Sequence, residues 1–139
     1  MSSISIAGSI GEQVYSGIEK ACLDVFGCEP DMNGFLAKSC FVPKPFKYLV
    51  WFANANRNIW IDTLENGGNE IREESVVIPC PHTKEDYFND NMKRIVFFNF
   101  GDDKNKQYKF VGVFELDKNR FQRDVHYFVK ISDKFPVEN

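Results

Sequence analysis

The sequence has few of the patterns from which metal and catalytic sites are usually built. It contains only two histidines among 139 residues, and its four cysteines include no CxxC pair. The cysteines are therefore expected to be reduced thiols rather than zinc ligands or disulfides. The phosphate-binding patterns GxxxxGK[ST] and GxGxxG are also absent. We therefore expect no metal ion and no cofactor, and a non-catalytic protein is favoured over an enzyme of unrecognised type.

Long hydrophobic runs are missing as well. No segment approaches the roughly 18 apolar residues of a membrane-spanning helix, and the first residues, MSSISIAGSIGEQ, lack the basic flank and apolar run of a signal peptide. A cytoplasmic protein with no membrane contact is the expectation. The hydrophobic content of 43% and the 14 phenylalanines predict a packed core. A single domain over residues 1–139 fits this length.

The charges are unevenly divided along the chain. Residues 1–90 carry 7 basic and 13 acidic side chains, a net of −6, whereas residues 91–139 carry 10 and 7, a net of +3. The basic part is suited to an anionic partner, although the overall acidity argues against indiscriminate binding to nucleic acid. The acidic part is suited to a basic protein partner. A mixed surface that is simply solvated is the alternative interpretation.

The clearest predicted helix covers residues 9–26, and a second, short helix is predicted from Thr83 to about Asn91. Ser9 and Glu12 form the S-x-x-E capping pattern, and Gly27 is placed to end the helix. Between them, apolar residues recur at helical spacing at Ile10, Val14, Ile18, Cys22 and Val25.

Most of the remaining order is predicted to be strand. Residues 47–53 form a near-continuous apolar run, typical of a strand buried on both faces. Residues 59–62 and 70–74 indicate a hairpin whose polar second arm, with Glu70, Glu73 and Glu74, is typical of a sheet edge or a loop. From residue 93 to 135, KRIVFFNF, YKFVGVFELD and VHYFVKIS predict a three-stranded antiparallel meander.

Two positions in the meander carry more specific expectations. Gly112 lies inside the middle strand, which predicts a bulge, a bend or a close approach. Simple alternation would place Phe110 and Phe114 on one face, and would turn His126 outward. The predicted fold class is α+β: a curved antiparallel sheet or partly closed β-barrel, with the N-terminal helix packed on it.

One constellation of aromatic and amide residues suggests a binding site. Two tryptophans bracket two asparagines and an arginine, and such residues can stack on a planar base and read its edge. The candidate ligand-binding residues are Trp51, Asn54, Asn56, Arg57 and Trp60, and the candidate contacts to a nucleic-acid backbone are Lys104, Lys106 and Lys109. In the alternative interpretation Trp51 packs in the core and Trp60 anchors the hairpin.

The meander also resembles a known group of domains. Tyr108, Phe110, Gly112, Val113, Phe114, Glu115 and Leu116, followed by Lys130, Ile131, Ser132, Phe135 and Pro136, are similar to an accessory domain of the PUA/EVE type found beside bacterial and phage nuclease or helicase domains. The resemblance implies a compact β-barrel-like module that binds RNA or a modified base in a cleft.

The function predicted from the sequence is therefore a non-catalytic recognition module that binds nucleic acid or a modified base through the aromatic and amide cleft. The alternative is a phage or host regulator that docks on a protein partner through the acidic surface of residues 1–90, with Glu70, Glu73 and Glu74 at an edge.

Overall fold

The computed structural model describes residues 13–21, 24–25, 40–41, 48–54, 60–78 and 93–136. These residues form α1 (Ile18–Ala21), β1 (Cys40–Phe41), β2 (Leu49–Ala53), β3 (Trp60–Glu65), β4 (Glu70–Ser75), β5 (Arg94–Asn99), β6 (Tyr108–Leu116) and β7 (Val125–Ser132). The seven strands make one sheet in the order β1-β2-β5-β6-β7-β4-β3.

The sheet is mixed, which corrects the prediction of an antiparallel sheet. Strand β2 pairs with β5 in parallel, with Leu49 opposite Arg94 and Ala53 opposite Phe98. The other neighbouring pairs are antiparallel. Every residue of β2 is buried, as expected for a strand that is covered on both faces. A hydrophobic run of this kind predicts burial but does not specify the direction of its partner, so the parallel pair was missed.

The α+β fold class and the helix over residues 9–26 are wrong. Within the described residues the only α-helix is the four-residue α1, and the fold is all-β. The main chain of Tyr15 pairs with that of Tyr108 in both directions, with N···O distances of 2.9 and 2.8 Å. A residue bonded in this way cannot join a helical ladder. Ser9 and Glu12, the predicted cap, lie outside the described residues, as does the short second helix predicted after Thr83.

The sheet curls around one face. Trp51 on β2 and Phe128 on β7 are three strands apart in the sheet order, yet their ring centroids are only 4.8 Å apart. Three strand spacings in a flat sheet would separate them by roughly 14 Å. The edge strand β3 also meets the residue that follows β2, because the main chain of Asp62 on β3 donates to the carbonyl of Asn54 at 3.3 Å.

Each face of the curled sheet carries its own hydrophobic core. The inner core, on the concave face, consists of Trp51, Ala53, Ile71, Val96, Phe98, Phe114 and Phe128. The outer core, on the convex face, includes Val50, Phe52, Ile95, Phe97, Tyr108, Phe110 and Val113, and the segment with Tyr15, Ala21 and Val25 covers it.

Gly112 is the point at which β6 changes face. Its φ is +139°, and the register with β5 and β7 shifts on either side of it. Phe110 therefore packs in the outer core while Phe114 packs in the inner core, so the predicted shared face is wrong. The predicted bulge and close approach are confirmed, since a Cβ at Gly112 would lie 2.8 Å from the carbonyl oxygen of Ser132.

Over the ranges given above, no helix is long and apolar enough to cross a membrane.

Candidate functional site

Three ionisable residues lie side by side on the concave face of the sheet. Asp62 on β3 is paired with Glu73 on β4, and Glu73 is paired with His126 on β7. Directly opposed residues project to the same face with Cβ atoms about 5 Å apart. All three are buried, with exposed fractions of 2%, 7% and 0%. We call this set the buried row. Burying three such groups is costly unless hydrogen bonds satisfy them, so the row is a strong candidate for a functional site.

The first member of the row is held by the end of β2. The main-chain N–H of Asn54 donates to Oδ2 of Asp62 at 3.0 Å, and Asn54 itself is 3% exposed. A carboxylate has about four lone-pair sites, so this bond orients Asp62 while leaving it able to accept from a ligand as well.

The last member of the row is held by a carbonyl and faces a carboxylate. Nε2 of His126 lies 3.0 Å from the carbonyl oxygen of Arg123, which can only accept, so Nε2 carries a proton. Nδ1 lies 3.3 Å from Oε1 of Glu73. Burial lowers the pKa of His126 to about 4, and the positive charge of Arg94 acts in the same direction, while the bond to Arg123 opposes them. The imidazole is therefore neutral at physiological pH.

Aromatic rings flank the histidine. The ring of Phe121 stacks on His126 with a centroid distance of 4.9 Å and an interplanar angle of 17°. The indole of Trp60 lies 6.1 Å from the imidazole and is partly exposed. Trp60 begins β3, two residues before Asp62 and therefore on the same face. Solvent thus reaches the neighbourhood of the buried row at Trp60.

A cation lies on the inner core beside the row. The guanidinium carbon of Arg94 is 5.2 Å from the ring centroid of Trp51 and 4.6 Å from that of Phe128. Both distances are within the range of cation–π contacts. Arg94 also acts electrostatically on His126. The concave face therefore combines one arginine, two acidic groups, a neutral histidine and aromatic rings.

The structure brings together part of the predicted ligand-binding set. Asn54 and Trp60 both lie at the buried row, the first through its main-chain bond to Asp62. Trp51 is 4% exposed and packs on Phe128 and Arg94, as in the alternative interpretation for that residue. Asn56 and Arg57 lie outside the described residues.

The three predicted backbone-contacting lysines lie near one another in the chain. Lys104 is exposed and Lys106 half-buried in the turn between β5 and β6, and Lys109 is half-buried on β6 opposite Phe98.

The sequence reasoning missed the residues that form the buried row. His126 was expected to point outward, but it is fully buried. Glu73 was assigned to a sheet edge, but β4 lies between β7 and β3 and the edge interpretation is wrong. One signal was available in the sequence. Trp60, Asp62 and Leu64 occupy alternate positions of one predicted strand, so the acidic Asp62 shares a face with two large apolar residues.

In the described part of the chain, no group of three His, Cys, Asp or Glu residues has the arrangement of a metal site.

Comparisons with known proteins identify the family. The family described as the SET and RING associated (SRA) domain matches residues 9–137. Among solved structures, "The 5-Hydroxymethylcytosine-Specific Restriction Enzyme AbaSI" is similar, with a TM-score of 0.66 and 22% sequence identity. At that identity the likeness shows the fold alone. The alignment covers 89% of this chain and 40% of that chain, so the present chain spans well under half of the enzyme's length. No curated protein matches the sequence.

The resemblance to the PUA/EVE group is confirmed at the level of the fold, because the SRA domain is PUA-like. The chain therefore belongs to the SET and RING associated domain family and has a curled, all-β fold.

Proposed function

We propose that this chain recognises DNA that carries a modified cytosine, and that it reads the base, once it is turned out of the duplex, at the buried row beside Trp60. Membership of the SRA family and the fold shared with an enzyme described as specific for 5-hydroxymethylcytosine support this class of ligand. The observation that carries the proposal is the burial of Asp62, Glu73 and His126 side by side on the concave face.

A buried carboxylate is suited to the edge of a cytosine. The exocyclic amine at N4 is a hydrogen-bond donor, and acidic side chains accept from it. Asp62 is oriented for this by the main-chain N–H of Asn54. In a buried site such a bond is stronger than in water, and a base that does not supply the donor leaves the acid unsatisfied. Asp62 is therefore the proposed reader of the base edge.

Trp60 is the proposed stacking surface. Its indole is partly exposed and is adjacent to the row, whereas the indole of Trp51 is packed against Phe128 and Arg94. Extruded bases are commonly held by stacking on aromatic side chains. The roles predicted for Asn56 in edge reading and for Arg57 in phosphate contact remain part of the proposal.

The test is binding to three duplexes of identical sequence that differ at one base: cytosine, 5-methylcytosine or 5-hydroxymethylcytosine. Fluorescence polarisation at physiological salt is expected to show a preference of the wild-type protein for one modified duplex. Asp62→Asn replaces an acceptor by a donor without changing shape, and it should reduce that affinity by roughly 10- to 100-fold. Trp60→Ala should also abolish the preference, with the melting temperature retained.

The matched control is Thr63→Val. Thr63 follows Asp62 on β3 but faces the other side of the strand, where its hydroxyl lies 3.4 Å from the carbonyl oxygen of Arg72. This variant should keep the preference. Equal binding of the wild-type protein to all three duplexes at physiological salt would show that the proposed function is wrong.

The predicted docking on a protein partner through an acidic edge stays a prediction. Glu73, one of its three named glutamates, is 7% exposed and forms part of the buried row, so it is not on an accessible surface.

A further inference from the structure

The turn between β5 and β6, residues 100–107, presents an aromatic ring and Lys104 to solvent, with Lys106 half-buried and Asp102 and Asp103 exposed. Phe100 is 54% exposed, although burying a phenylalanine side chain usually contributes about 1.5–3 kcal/mol. Lys104 and Lys106 belong to the same turn. A single exposed apolar residue is ordinary in a folded protein. The structure of this turn and its position beside the buried row distinguish Phe100 from such a residue.

The turn is held in place by its own hydrogen bonds. Oδ1 of the buried Asn99 accepts from the main-chain N–H groups of Gly101 at 2.9 Å and Gln107 at 2.7 Å. Oδ1 of Asp102 accepts in the same way from Lys104 at 2.9 Å and Asn105 at 2.7 Å. These bonds fix the main chain on both sides of Phe100.

Two further contacts leave little freedom at Phe100 itself. Its main-chain N–H donates to the carbonyl oxygen of Gln107 at 2.9 Å, and its ring lies 5.4 Å from that of Phe98 in the inner core. A Cβ at Gly101 would lie 1.9 Å from the carbonyl oxygen of Asn105, so the closure of the turn requires glycine there. The exposed ring is therefore preorganised, which reduces the entropy lost when it binds a partner.

The turn lies next to the buried row across one strand. Ala53 at the end of β2 is paired with Phe98, and the following residue, Asn54, is hydrogen-bonded to Asp62. Phe98 and Asp62 are thus separated by two strand spacings, or roughly 10 Å. A DNA duplex that delivers a base to Asp62 is wide enough to reach the turn as well.

We infer that the turn is a second contact to DNA, in which Phe100 packs against a sugar or base and Lys104 and Lys106 bind the neighbouring phosphates. This contact does not depend on whether the base is modified. Phosphates position a protein on DNA without specifying a base, and an aromatic ring stacks on any base. The inference relies on the proposed function for the identity of its partner as DNA, but its test separates the two.

The test compares Phe100→Ala with the wild-type protein on the unmodified and the preferred modified duplex. Loss of the ring should weaken binding to both duplexes by the same factor, on the order of ten-fold or more. Phe100→Tyr keeps the ring and should restore at least most of the affinity. The control is Ile131→Ala, which removes another exposed apolar side chain, 41% exposed on β7, and should change neither affinity. Melting temperatures confirm that each variant is folded.

Two results would overturn the inference. One is unchanged binding by a folded Phe100→Ala protein, and the other is a loss confined to the modified duplex, which would assign Phe100 to the base-reading site. If the wild-type protein binds both duplexes equally and Phe100→Ala weakens both, the proposed function fails and the second contact stands. If modified DNA is preferred and Phe100→Ala has no effect, the proposed function stands and the second contact fails.

Discussion

Nδ1 of His126 lies 3.3 Å from Oε1 of Glu73, and both residues are buried on neighbouring strands. Because Nε2 of the same imidazole donates to the carbonyl of Arg123, a neutral His126 directs the lone pair of Nδ1 at the carboxyl group. The two groups are therefore close enough for each to affect the other, and a change at His126 alters the surroundings of Glu73.

The first prediction concerns the pH dependence of stability. Burial lowers the pKa of His126 in the folded protein from 6.5 to about 4. Between these values the unfolded chain binds a proton that the folded chain does not, so the free energy of unfolding falls as the pH is lowered from 6.5 to 4. The shift corresponds to on the order of 3 kcal/mol. Urea unfolding at several pH values should show this loss, and His126→Gln should reduce it.

The comparison with His126→Gln removes the contribution of the acidic residues that do not contact His126, because these residues titrate in both proteins. The positively charged Arg94 and Arg123 and the acidic Asp62, Glu73 and Asp124 are near His126 and are unchanged in the variant. A wild-type protein that gains stability over the variant on acidification would contradict the prediction, and would show that His126 and Glu73 form a charged pair.

The second prediction concerns Gly112. Alanine at this position would have to adopt a φ of +139° and would place its Cβ 2.8 Å from the carbonyl oxygen of Ser132. Such strain costs on the order of 1–3 kcal/mol, so the denaturant midpoint of Gly112→Ala should fall clearly below that of the wild-type protein. Gly17→Ala is the control, because nothing lies within 4 Å of a Cβ there and its φ is not in the strained range. Equal midpoints for the two variants would refute the assigned role of Gly112.

The third prediction separates the two tryptophans by fluorescence. Trp51 is buried against Phe128, whereas Trp60 is partly exposed. Acrylamide should therefore quench the emission of Trp51→Phe, in which only Trp60 remains, more strongly than that of Trp60→Phe. Preferred DNA should protect the emission of Trp60 from quenching, because stacking covers the indole. Equal quenching of the two variants would contradict the assignment of Trp51 to the core.

The fourth prediction concerns salt. If Lys104 and Lys106 each neutralise one phosphate, replacing both with glutamine should lower the slope of log affinity against log salt by roughly 1.8 for duplex DNA. The same assay on Lys109→Gln tests the third predicted lysine, which is half-buried. The exposed Lys134, replaced in the same way, serves as the control. An unchanged slope in the double variant would remove the two lysines from the interface.

Local sequence patterns predicted several strands close to their observed positions. The run of residues 47–53 contains β2, and the three apolar segments after residue 93 contain β5, β6 and β7. β-branched and aromatic residues bounded by polar breaks are sufficient for this, because they reflect the fit of side chains to a pleated, buried surface. The bulge at Gly112 was also predictable, since glycine weakens the interior of a strand and often marks a bulge, a bend or a close approach of the main chain.

Long-range pairing explains what the sequence did not reveal. The predicted helix fails at Tyr15, whose main chain bonds to a residue 93 positions later in the chain, and the helical spacing of the apolar residues contains no trace of that partner. The buried row was missed for the same reason, because Glu73 and His126 are 53 positions apart in the chain and are brought together by the pairing of β4 with β7. Asn54 and Trp60 could be grouped in one candidate set because they lie close together in one aromatic and amide-rich segment.

The parallel pair of β2 and β5 has a consequence for synthesis of the protein. Leu49 and its partner Arg94 are 45 residues apart, so at about 5–20 residues per second β2 is made roughly 2–9 s before β5. During that interval the five apolar residues of β2, LVWFA, have only the two-residue β1 as an available partner in the described sheet. Unpaired apolar strands of this kind are prone to aggregate, and pairing over a large sequence separation is slow. We therefore expect β2 to be most prone to aggregation in the interval before β5 is made.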